Sequence, residues 1–164
     1  LTKDLNKLNI PTLHTTVDYW NMGDYSNEYA FSRPTVKKEL AAYSSLKLVI
    51  DMHRDSGPRK DTTNLINGKQ TAGIFFIIGQ QNPNWKKNDA LANGLKDVMQ
   101  KLYPGLCRGV WEKNYLNFDS RYNQDLSPDS VLIEVGGPYN TTDELNLAAD
   151  DLAQVISAYL QKKN

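Results

Sequence analysis

The apolar positions of this chain alternate between two periods, the 3.6-residue spacing of amphipathic helices and the short unbroken runs of buried strands. Leu1, Leu5 and Leu8 sit at helical spacing and stop at Ile10-Pro11, which predicts an opening helix. Thr12 to Thr16 (TLHTT) reads as a short strand, and Val17 to Phe31 as an aromatic, polar surface loop. Ser32 as N-cap, with Pro34 in the first turn, predicts a helix through Val36, Leu40 and Tyr43. The runs LKLVIDM (Leu46 to Met52) and VLIEV (Val131 to Val135) are β-branched and apolar, as strands covered on both faces are.

Asn67-Gly68 suits a type I′ hairpin, because both residues tolerate positive φ, and the following Gly73 to Ile78 reads as a central strand. Leu91, Leu95, Val98, Met99 and Leu102 share one face of a helix over Asn88 to Leu102, closed by Tyr103-Pro104-Gly105. Val110 to Phe118 reads as an irregular or edge strand. Thr141 and Glu144 form a capping box for a last helix with the stripe Leu145, Ala149, Leu152, Ile156, Tyr159 and Leu160. These elements predict a single α/β domain over residues 1–164, a mostly parallel sheet flanked by helices.

Charge narrows the function classes. The 19 Lys and Arg balance 19 Asp and Glu, which argues against a domain that binds polyanions through a bulk basic field. No apolar run approaches the roughly 20 residues of a membrane span. Cys107 is alone, so an internal disulfide and a cysteine-rich zinc site are both excluded; with no activating neighbour beyond Arg108 it reads as inert. Gly136-Gly137-Pro138 lacks the spacing of a phosphate loop and reads as a tight strand-to-helix turn. Trp20, Trp85 and Trp111 would suit a sugar-stacking surface, but their scatter makes core packing the default.

Two polar residues interrupt the apolar logic at strand ends: His53, directly after LVIDM, and Glu134, inside VLIEV. Ligands of open α/β sheets bind at the carboxyl ends of strands, so both positions have a topological reason to be functional. An ionised carboxylate in an apolar strand needs a partner or a raised pKa, and a raised pKa suits a general base. The alternative is structural: a satisfied strand-end histidine, and a glutamate paired with an arginine such as Arg54.

The segments DMHRD (51–55), NQDLSPDSVLIEVGG (123–137) and NTTDELNLAADDLAQVI (140–156) resemble the stage II sporulation protein P family, as does YSNEYAFSRPTV near the first long helix. That family comprises cell-wall hydrolases of endospore formers, related to zinc-dependent N-acetylmuramoyl-L-alanine amidases. The resemblance implies a zinc-binding role for His53 and a catalytic role for Glu134. It places Arg54, Asp55 and Arg33 at the substrate groove or behind the site, with Asn123 and Gln124 in a loop that shapes it. It also implies peptidoglycan as substrate, stage II sporulation proteins D and M as partners, and an extracytoplasmic location tethered by an upstream membrane segment. The related amidases hold zinc through two histidines and a glutamate. The expectation is that the other ligands and the N-terminal strand lie upstream of Leu1, since His14 sits in no motif that puts it on zinc. An incomplete ligand set binds zinc poorly. A second reading therefore stands beside the hydrolase: a metal-free domain of the same fold that binds cell wall or protein.

Overall fold

The computed structural model describes residues 1–23, 28–114 and 120–163, without the side chains of Trp20 and Lys163. Its order is α1 (Thr2–Lys7), α2 (Glu28–Ala42), β1 (Val49–His53), α3 (Arg59–Thr62), β2 (Thr63–Ile66), β3 (Lys69–Ala72), β4 (Ile74–Gly79), α4 (Trp85–Leu102), β5 (Cys107–Lys113), β6 (Ser130–Val135) and α5 (Thr142–Lys163). The main sheet has the strand order β1-β6-β4-β5, while β2 and β3 form a separate ribbon. β1 runs parallel to β6 and β4 parallel to β5; β4 and β6 are antiparallel, so the sheet is mostly parallel.

Side chains alternate across the sheet, and the two faces have different jobs. One face buries Ile74, Phe76 and Ile78 of β4 and Val131 and Ile133 of β6 against Leu91, Leu95 and Met99 of α4, Leu152 and Ile156 of α5, and Leu5 of α1. Each such side chain is worth about 1.5–3 kcal/mol in removal from water. The other face carries Asp51 and His53 of β1, Glu134 of β6, Phe75 of β4 and Trp111 of β5.

Most elements form where the pattern placed them. The hairpin turns at Asn67 (φ 49°) and Gly68 (φ 78°), the pair of positive angles a type I′ turn needs. The capping box closes α5: the Thr141 amide donates to Glu144 Oε2 at 3.0 Å, and the Glu144 amide donates to Thr141 Oγ1 at 3.3 Å. Gly79 ends β4 so close to residue 120 that a Cβ there would lie 2.1 Å from the Ser120 carbonyl oxygen.

Three expectations change. Residues 12–16 join no sheet; the Thr12 amide donates to the Asn6 side chain and its hydroxyl to the Ile10 carbonyl, so local groups take the bonds a ladder would use. α2 begins at Glu28, not after Ser32, and Pro34 lies inside it. The Ser32 hydroxyl donates to the Tyr29 carbonyl instead of capping the helix. His53 is the last residue of β1 rather than the first after it. Of the edge strand expected over 110–118, β5 covers the first part, and 115–119 lie outside the described residues.

Candidate active site

β1 ends on His53 and β6 carries Glu134 in register with it. A parallel pairing with matched ends puts both side chains on the sheet face away from the helical core. The row continues across β4 to Phe75 and across β5 to Gly109; the row before it runs Asp51, Leu132, Ile77 and Trp111.

His53 is held from two sides. Its Nε2 lies 3.1 Å from Asp51 Oδ1, and the ring stacks on Tyr29 of α2 with centroids 6.2 Å apart and planes at 16°. The Tyr29 hydroxyl is 3.5 Å from the same nitrogen. Tyr29 in turn meets Tyr122 edge-on at 5.3 Å. The Asp51 hydrogen bond, reinforced by the charges of Glu28 and Glu134, raises the His53 pKa above its ordinary value against the opposing effect of burial.

Burial, supported by the nearby Asp55 carboxylate, raises the Glu134 pKa, while Lys113, His53 and Arg108 pull it down. Glu28, in the first turn of α2, is likewise raised, chiefly by burial. Three carboxylates thus act electrostatically on one imidazole, a concentration of negative charge that a bound cation would relieve.

Behind Glu134 lies an ion pair. Arg108 sits where the β4–β5 register shifts, and that bulge turns its side chain to donate to Asp55 Oδ2 at 2.6 Å. Burial pushes Asp55 up, but the Arg108 bond and the Gly57 amide, donating at 2.7 Å, outweigh it and hold the carboxyl below its usual range.

The remaining residues singled out from sequence divide by role. Arg33 donates to both carboxylate oxygens of Asp125, at 2.8 and 2.6 Å, and to Asn123 Oδ1 at 3.2 Å. Asn123 adopts a left-handed conformation (φ 54°), and its amide donates to the Tyr29 carbonyl and to Ser32 Oγ. These contacts tie the loop after residue 120 to α2, and so to the residue stacked on His53. Gln124 is buried and bonds the β4 backbone, accepting from the Gly79 amide and donating to the Ile77 carbonyl. It is part of the frame. Arg54 is exposed, and the cations nearest Glu134 in effect are Lys113 and Arg108 instead. Burial raises the Cys107 thiol pKa, in keeping with an inert residue.

Sequence reasoning missed Glu28, Tyr29 and Lys113, whereas Asp51 lies in the DMHRD cluster, where a carboxylate behind His53 is expected. Glu28 was hidden by starting the helix five residues late: an acidic residue in a first helical turn is the signal that would have found it. A cavity of about 430 Å³ is lined by His14, Glu28, Tyr29, Asp51, His53 and Tyr122, among others.

Imidazole nitrogen and carboxylate oxygen are zinc donors in kind, so the chemistry of the set fits that ion. Among the described residues, no three His, Cys, Asp or Glu side chains converge tightly enough to hold one metal. The donors share a cavity without meeting at a point.

The family model described as Stage II sporulation protein P (SpoIIP) matches residues 1–157. Stage II sporulation protein P of Bacillus subtilis (strain 168) is 42% identical over 134 residues, which cover 82% of this chain and 33% of that protein. The chain therefore spans about a third of the length of this curated relative. Its fold is similar to that of the CwlD amidase from Clostridioides difficile, solved in complex with the GerS lipoprotein. The TM-score is 0.57 at 15% identity, covering 98% of this chain and 81% of that one.

Proposed function

The chain belongs to the stage II sporulation protein P family, and we propose that it hydrolyses peptidoglycan at the amide joining N-acetylmuramic acid to L-alanine. The observation that carries this reading is the pairing of His53 with Glu134 on adjacent strand ends, facing the same side of an amidase-like sheet. Cleavage of peptide cross-links is a second activity that the same base would serve.

Glu134 is the general base. Its carboxylate takes a proton from the attacking water as the new C–O bond forms, then returns that proton to the departing amine nitrogen as the C–N bond breaks. A raised pKa makes it a stronger proton acceptor than an exposed glutamate and a competent donor in the second step. Tyr29 and Asp51 hold the His53 ring, and the Arg33–Asp125–Asn123 contacts hold the segment that carries Tyr29.

Zinc is the proposed cofactor, with His53 as one ligand; when bound, it would supply Lewis-acid polarisation of the scissile carbonyl. The cavity offers Glu28 and His14 as further donors, and ligands upstream of Leu1 are the other source. Of Arg33, Arg54 and Arg59, Arg54 is the exposed one and is proposed to meet stem-peptide carboxylates, because the forks of Arg33 and Arg59 are directed at Asp125 and Glu144.

The family resemblance extends the proposal to stage II sporulation proteins D and M as partners. It also extends it to a location between mother cell and forespore, reached by a membrane tether. No helix among the described residues is long and apolar enough to cross a membrane.

The test is Glu134→Gln with purified sacculi as substrate. Loss of the base is expected to lower release of soluble fragments by about 10²–10⁴-fold, with sacculus binding retained. Undiminished release by the variant would exclude the role of Glu134.

A further inference from the structure

We propose that Phe75, Trp111 and Lys113 form a glycan-binding strip beside Glu134, on which Trp111 stacks a pyranose ring of the peptidoglycan strand. The inference rests on the reading of Glu134 as the hydrolytic base and names the substrate subsite next to it.

The strip follows from strand register. Phe75 on β4 is the cross-strand partner of Glu134 on β6, and directly opposed residues of an antiparallel pair share a face with their Cβ atoms about 5 Å apart. Trp111 on β5 partners Ile77, two residues along β4 from Phe75, and therefore lies on that face too. The two rings are tilted at 47° with centroids 6.2 Å apart. Lys113 stands two residues beyond, its ammonium 4.5 Å from the Trp111 ring centroid, while Arg108 lies over Phe75 at 5.4 Å. The order across the sheet is base, Phe75, Trp111, with cations flanking both rings.

Burial argues the same way. Trp111 is 47% exposed, whereas the opposite face of β4 is sealed in the core: Phe76 and Ile78 are fully buried. An indole left half in water on an edge strand is not core packing. A neutral glycan suits it, because the axial C–H groups of a pyranose are apolar and pack on an aromatic face. The hydroxyl and N-acetyl oxygens at the ring edge accept hydrogen bonds from an ammonium such as Lys113. Continuity with Glu134 selects the occupant: the sugar on the strip belongs to the same strand as the amide offered to the base.

The experiment measures co-sedimentation of the full-length protein with purified sacculi, in a Glu134→Gln background that cannot degrade them, with and without Trp111→Ala. Loss of one aromatic contact is expected to weaken binding by roughly five- to tenfold. With the catalytic glutamate restored, Trp111→Ala is expected to raise KM by a similar factor with little change in kcat. Trp111→Phe, which keeps a ring and the fold, is expected to recover most of both. Equal sacculus binding by the Trp111→Ala and parent proteins would overturn the strip. The hydrolase reading fails separately: if the wild-type protein releases nothing from sacculi but Trp111→Ala still loses binding, the strip stands and the activity does not.

Discussion

His53 and Glu134 are register partners at the carboxyl end of one strand and near the carboxyl end of its parallel neighbour, so their spacing is fixed by backbone hydrogen bonds. Each perturbs the other: the Glu134 charge helps raise the His53 pKa, and His53 in its charged form lowers that of Glu134. Function placed on a ladder in this way is hard to shift by loop movement, and easy to tune by charges on the same face.

That tuning gives opposed pH shifts. Glu134 must be ionised to act as base, so activity falls as pH drops through its raised pKa. Lys113→Met removes a charge that lowers this pKa and should move the acid limb of the rate profile to higher pH. Asp55→Asn removes a charge that raises it and should move the limb to lower pH. Profiles of fragment release against pH check both, and shifts in the same direction would contradict the assignment.

Zinc content separates two sources of ligands. If Glu28 and His14 complete the set begun by His53, then Glu28→Gln and His14→Ala should each lower the zinc bound per protein, as His53→Ala should. If the ligands lie upstream of Leu1, only His53→Ala does so. Elemental analysis of the purified variants reads this directly, without an activity assay.

Arg33 should matter through what it holds. Replacing it with alanine removes a two-pronged bond to Asp125 and a bond to Asn123, which should cost about 2 kcal/mol. Lysine should recover only part, because a point charge cannot span both carboxylate oxygens. Amide exchange is expected to rise first over residues 121–126, with denaturant titration giving the stability change.

The cap of α5 predicts acid sensitivity. Glu144 accepts from Arg59 and from the Thr141 amide, and its pKa falls to about 2, chiefly through the Arg59 bond. Its folded pKa lies below the unfolded value, so the stability it adds is fully present above the ordinary glutamate range and is lost as pH falls toward 2. Glu144→Gln should therefore flatten that part of the stability profile. Urea unfolding at stepped pH values measures it; an unchanged slope would show that the pair adds nothing.

The sequence by itself determined the elements whose cause is local. Apolar runs placed β4 and β6, Asn67-Gly68 placed the hairpin, and TTDE placed the start of α5, because each depends on residues adjacent in the chain. It also picked out His53 and Glu134, because a polar group interrupting a buried strand is visible without a fold. Tertiary structure decided what depends on contacts between distant segments. Residues 12–16 are different, a local effect that the strand-like pattern hid: the Thr12 amide turned to Asn6, six residues back, and left them out of the sheet. α2 started at Glu28 and brought that carboxylate and Tyr29 to His53, 24 residues from Tyr29 along the chain. Arg33 and Asp55, which the resemblance placed at the substrate groove or behind the site, became internal partners of Asp125 and Arg108, a choice only three-dimensional proximity makes. Trp111 moved the other way, from a core-packing default to a half-exposed edge strand on the face that carries Glu134. An isolated apolar residue on a strand does not reveal which face of the sheet is covered.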